Sequence, residues 1–91
     1  MPRPVAEALI HRLAEEGRFI LEPVFQQKMK DRDFSMRQVL ETLKSGGVNQ
    51  GPERDECGDI RCRIRKRVAG RLVRIVLTIH GTDTLYPISV H

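Results

Sequence analysis

Ninety-one residues with 40% hydrophobic content fit one small domain with a single core. There is no Trp and only four aromatic residues in all, which argues against a surface that stacks several bases on exposed rings. The net charge of +4 conceals a polarity, since residues 1–59 carry nine bases and eleven acids while residues 60–91 carry seven bases and one acid. Such polarity points to an anionic partner, nucleic acid above all, or else to a basic surface that serves only solubility.

No apolar run approaches the ~20 residues of a transmembrane helix. The opening stretch MPRPVAEALIHRLAEEG carries acids where a signal peptide has an uninterrupted apolar segment. A cytoplasmic protein without membrane association is therefore expected, with Cys57 and Cys62 as reduced thiols.

In chain order, Pro4 suits the first turn of a helix, and Val5, Leu9 and Leu13, flanked by Ala6 and Ile10, form a stripe that Gly17 closes. The stripe packs on the protein's own core or on a second copy, or else docks on a partner or a membrane surface; His11 falls on the polar side. Arg18–Leu21 reads as a strand or extended lead-in. Glu22-Pro23 opens a second helix with Phe25 and Met29 on its buried side. In the third helix Ser35 caps the start, Gln38 completes a capping box, and Phe34 and Val39 form a hydrophobic staple. Gly47–Gly58 is polar and rich in turn formers and reads as a mobile loop, with Val48 as a brief edge strand.

The stretch 59–80 alternates cleanly. Ile60, Cys62, Ile64 and Val68 fall on one side, and Arg61, Arg63, Arg65 and Arg67 on the other. Period-two alternation marks a strand with one buried and one wet face. Ala69-Gly70-Arg71 supplies a short turn, after which Val73, Ile75, Leu77 and Ile79 resume the apolar side. A last strand covers Thr84–Val90, with Tyr86, Ile88 and Val90 on one face and Pro87 at an edge or bulge. The expected fold is α+β: helices at about 4–16, 23–33 and 35–45 packed on one face of a three- to four-stranded antiparallel sheet built on 59–68, 72–80 and 84–90. Residues 1–17 form an additional N-terminal helix before a single domain at 18–91. The expected core contains Leu9, Leu13, Phe25, Met29, Phe34, Val39, Leu43, Ile60, Cys62, Ile64, Val73, Ile75, Leu77, Ile79, Tyr86 and Ile88.

Four guanidinium groups on one sheet face, with Arg74 on the paired strand, suit phosphate oxygens; a solvated face that discourages edge pairing is the alternative. Cys57-x4-Cys62 with His80 and His91 has the wrong spacing for a zinc site, so Cys62 is read as a core thiol and Cys57 as a loop thiol, with no metal or other cofactor. His80 falls on the ladder side and, with Arg74 and Arg65, is the candidate catalytic set for metal-free RNA cleavage. Lys28 and Arg32 join that face if the second helix reaches the rim.

Phe19-Ile20-Leu21-Glu22-Pro23, Lys28-Met29, Arg32, Phe34-Ser35, Val39, Leu43, Gly46 and the Ala69-Gly70-Arg71 turn resemble a bacterial family, domain of unknown function 4258, over residues 18 to 91. The resemblance implies a layout similar to small ribonuclease toxins of the RelE and barnase kind, with helices against an antiparallel sheet. It also implies a His in the second helix where this chain has Val24, an Arg where it has Lys28, and a Gly where it has Asp33. The combined expectation is an RNA-binding domain of toxin-like layout without efficient catalysis. Its nucleic-acid-binding residues would be Arg61, Arg63, Arg65, Arg67, Arg74, Lys28 and Arg32. The alternatives are an interaction module of a toxin–antitoxin or regulatory pair, docking or dimerising through the first helix, and a metal-independent ribonuclease.

Overall fold

The computed structural model describes residues 1–91, with three helices followed by four strands. In order these are α1 (Arg3–Glu15), α2 (Pro23–Asp31), α3 (Met36–Ser45), β1 (Gly47–Arg54), β2 (Ile60–Val68), β3 (Arg71–His80) and β4 (Thr84–Val90). The strands form one antiparallel sheet in the order β1-β2-β3-β4, and the helices cover its inner face. This is the α+β layout expected from the sequence. No helix is long and apolar enough to cross a membrane.

β2 and β3 pair without a slip from Ile60↔Ile79 to Val68↔Arg71. Ala69 at φ 52° and Gly70 at φ 80° close the turn, and two successive positive φ values match the twist of paired strands. Cys62, Ile64, Val68, Val73, Ile75, Leu77 and Ile79 are all buried beneath the helices. Burial pushes the Cys62 thiol up to about 11, partly offset by Arg3, so it behaves as an inert core group, while Cys57 is exposed.

The helices follow their sequence signals closely. The capping box at Ser35 is complete, with Ser35 Oγ accepting from Gln38 N at 3.1 Å and Gln38 Oε1 accepting from Ser35 N at 2.8 Å. Phe34 and Val39 are both buried, and the Arg71 guanidinium lies 3.8 Å over the Phe34 ring. Asp33, just past α2, sits at φ 59°, in the left-handed region that glycine favours. Arg18–Leu21 is an extended lead-in joined to β4 by Ile20 N to Leu85 O and Leu85 N to Arg18 O.

Three expectations need correction. Gly47–Arg54 is a strand and not a mobile loop, paired to β2 through two register shifts. Its polar, proline-bearing sequence hides it, because an irregular edge strand need not alternate. Gly51, at φ 84°, is required here: a Cβ would stand 2.7 Å from the Arg61 carbonyl. The second correction concerns α1, which buries Ala6, Ile10, Leu13 and Ala14 in the shared core and leaves Val5 52% exposed and Leu9 only partly buried. Polar contacts at every fourth residue set this rotation. Arg3 Nε donates to Gly51 O (3.0 Å), Glu7 Oε1 accepts from Val48 N (2.7 Å), and His11 Nε2 donates to Gly46 O (2.7 Å). His11 is thus a half-buried tie to the end of α3, just before β1, instead of a solvated residue. Third, Tyr86 and Ile88 stay out of the core, and Leu85, Pro87 and Val90 take their place. Leu77↔Pro87 and Val76↔Ser89 leave Ile88 as a one-residue bulge, which returns Val90 to the inner face.

The rotation of α1 has a direct consequence for stability. Ile10→Ala should destabilise the protein by about 2–5 kcal/mol, whereas Val5→Ala should stay within about 0.5 kcal/mol. Denaturant unfolding of the two variants checks this, and equal effects would contradict the observed helix phase.

Candidate functional site

The outer face of the sheet carries no covering helix. The register places its side chains in cross-strand rows: Glu53–Arg61–Thr78–Tyr86, then Gln50–Arg63–Val76–Ser89, then Gly47–Arg65–Arg74–His91. The last row continues beyond β4 through Arg74 N to His91 O and His91 N to Arg74 O, both 2.9 Å. Arg65 and Arg74 stand directly opposite each other, an arrangement that like charges disfavour unless an anion or solvent screens them.

α2 flanks this face along the β4 edge. Lys28 Nζ donates to Ile88 O at 3.0 Å, and Arg32 Nη1 donates to Val90 O at 2.8 Å. These two cations, one helical turn apart, satisfy edge carbonyls and thereby fix α2 at the rim. The expectation for Lys28 and Arg32 depended on α2 reaching that rim, and it does. Val24, one turn earlier on the same helix face, is 67% exposed.

Two open clefts share Lys28 and Ile88. One, of about 510 Å³, holds His80, Asp59, Thr78 and Tyr86 against Glu22, Val24 and Phe25 of the α2 end. The other, of about 480 Å³, crosses the sheet over Arg61, Arg63, Val76 and Ser89 to Gln50 and Glu53 of β1. Arg63 Nε is buried and has no hydrogen-bond partner. An unpartnered buried guanidinium nitrogen is costly.

His91 lies beside Arg74, its backbone partner, and next to Val90, whose carbonyl Arg32 holds. Its imidazole lies below the ordinary value, first through desolvation and then through the neighbouring Arg32, Arg63, Arg74 and Lys28 charges. Ser89 Oγ lies 3.3 Å from its Nε2. Sequence reasoning left His91 as a terminal residue of little weight; only the β4 bulge, which sets the phase of Ser89, Val90 and His91, would have exposed its position.

His80 occupies the other end of the face. Its Nδ1 lies 2.9 Å from Asp59 Oδ1, and its ring meets Tyr86 edge-on at 6.3 Å between centroids. Asp59 is held in turn by the β1–β2 loop, where Asp55 Oδ1 accepts from Cys57 N and Asp59 N, each at 2.9 Å. The expected grouping of His80 with Arg74 and Arg65 does not form. His80 and Arg74 lie roughly 20 Å apart along β3 at ~3.3 Å per residue, and Lys28 is the cation that shares the His80 cleft. Arg67 also stands off, its Nη1 donating to Gly70 O at 3.2 Å across the turn. No three His, Cys, Asp or Glu side chains converge in a metal-binding group.

Comparison with protein families, with curated proteins and with solved structures returns no match.

The charge cluster makes a testable statement about His91. Its folded pKa lies below the unfolded one, so the folded state loses stability as pH falls through the ordinary imidazole range. NMR titration should find His91 protonating below that range, and Arg63→Gln should move it upward by removing a cation. An unshifted His91, indifferent to Arg63→Gln, would show that the cations do not meet there.

Proposed function

We propose that this protein is a cytoplasmic RNA-binding domain of toxin-like layout that grips the phosphate backbone on the open sheet face and lacks efficient catalysis. The observation that carries this reading is the placement of Lys28 and Arg32 on the Ile88 and Val90 carbonyls at the β4 edge, beside the open rows that hold Arg63 and Arg74. Guanidinium forks present paired donors to phosphate oxygens. Arg61 and Arg65 extend the cationic track along β2, and Glu53 is the acid within that cleft. Asp33 holds a left-handed backbone at the position where the resemblance implies Gly.

Binding should be strongly electrostatic. For a single strand, log K falls with log salt by about 0.7 for each phosphate neutralised. Fluorescence anisotropy should show Arg63→Gln and Arg74→Gln weakening all sequences alike and each lowering the salt slope by about 0.7. Lys30→Gln, away from the face, should leave both unchanged. Undetectable binding to any RNA at low salt contradicts the reading.

A metal-independent ribonuclease is the second reading, favoured by the His80–Asp59 pair in a cleft that also contains Lys28. A carboxylate on Nδ1 orients an imidazole for proton transfer through Nε2. Val24, where the resemblance implies a His, opens on the same cleft and cannot return a proton to a leaving group. General acid–base assistance supplies ~10²–10⁴-fold, so one unaided imidazole leaves cleavage slow. Wild type and His80→Ala should both leave RNA intact over the course of a binding assay. Cleavage by the wild type that is lost in His80→Ala would establish the second reading.

A further inference from the structure

The two clefts meet at Lys28 and Ile88 and differ in chemistry. The Arg61–Arg63 cleft offers guanidinium donors, which fit a phosphate. The Val24–Tyr86 cleft has a different lining. Val24, 67% exposed, and the half-buried Tyr86 and Ile88 give it apolar walls, while Asp59, Thr78 and His80 converge as polar groups. A concave site with apolar walls and a few converging hydrogen-bonding groups suits a flat heteroaromatic ligand. The Tyr86 and His80 rings lie at 89° to each other, so a planar ring stacks on only one of them. Thr78 and the Asp59 carboxylate remain to meet polar groups on that ring's edge.

Resting on the backbone-binding reading, we propose that the two clefts form one nucleotide site for single-stranded nucleic acid. An unpaired base sits against Tyr86 and Val24, and its phosphate sits on Lys28, Arg61 and Arg63. The site requires a base free of its partner, because a base stacked and paired inside a duplex cannot enter a cleft beside the backbone track. Tyr86 is the chain's only Tyr and the sole Phe, Tyr or Trp on this outer face, so the site reads one base while the cations follow the strand.

Three ligands separate the parts of this proposal: a short fluorescein-labelled single-stranded RNA, an abasic strand of equal length, and the same RNA annealed into a duplex. The base-bearing single strand should bind about 5- to 100-fold more tightly than the abasic strand, the range that stacking of one base on an aromatic ring supplies. Tyr86→Leu should reduce it to the abasic level, and Tyr86→Phe, which keeps the ring, should preserve the difference. A strand carrying 5-iodouridine, irradiated on the wild-type protein, should attach to Tyr86 or His80, a result that does not depend on any variant folding. Equal affinity for base-bearing and abasic strands, a duplex that binds as tightly as the single strand, or attachment elsewhere overturns the nucleotide site and leaves backbone binding standing. Failure of all three ligands to bind removes both readings.

Discussion

The unbroken pairing of β2 with β3 is the constraint on which the rest of the molecule depends. Because side chains alternate across a strand, one register decides the face of every residue from Ile60 to His80. In the observed register Ile64↔Ile75 and Cys62↔Leu77 meet beneath the helices, while Arg63↔Val76 and Arg65↔Arg74 meet on the open side. A slip of one residue would bury guanidinium groups and expose the core, so the apolar requirement itself places the cations together. The primed turn at Ala69-Gly70 fixes that register locally.

The helical layer contributes to the open face at its rim. Lys28 and Arg32 reach over the β4 edge to carbonyls at Ile88 and Val90, so the contacts that anchor α2 also deliver two cations beside Arg63 and Arg74. Like charges gathered on the empty face raise its free energy, with Arg65 directly opposite Arg74 and Glu53 the one acid in the Arg61–Arg63 cleft. A bound anion relieves that repulsion. The His80–Asp59 end is built differently, with an acid already in place, and so offers polarity without a large field.

Much of this architecture was legible because its signals are local. The capping box at Ser35, the Pro that opens α2 and the alternation of β2 each act within a few residues, and each element lies where those signals place it. What was hidden depends on contacts distant in sequence. β1 exists because Arg3 and Glu7 reach it from α1, because His11 holds Gly46 just before it and because β2 offers an edge, and its Asn, Gly and Pro residues announce only a turn. The Ile88 bulge puts Tyr86 and Val90 on opposite faces, where a regular strand would keep them on one, which period-two reasoning cannot foresee. For the site, the Arg61–Arg67 face and the arrival of α2 at the rim were readable. The separation of His80 from Arg74 and the gathering around His91 required the strand lengths and the bulge.

The central claim is that the uncovered sheet face, and not the helical layer, is the working surface. Backbone amide NMR spectra recorded while a short single-stranded RNA is added at low salt test it most directly. The account predicts that the shifted amides cluster at Arg61, Arg63, Val76, Thr78, Tyr86 and Ser89, with Lys28 and Arg32 at the rim, while Ala6, Ile10 and Leu43 stay fixed. Shifts confined to α1 or α3, or none at any RNA concentration, would contradict it.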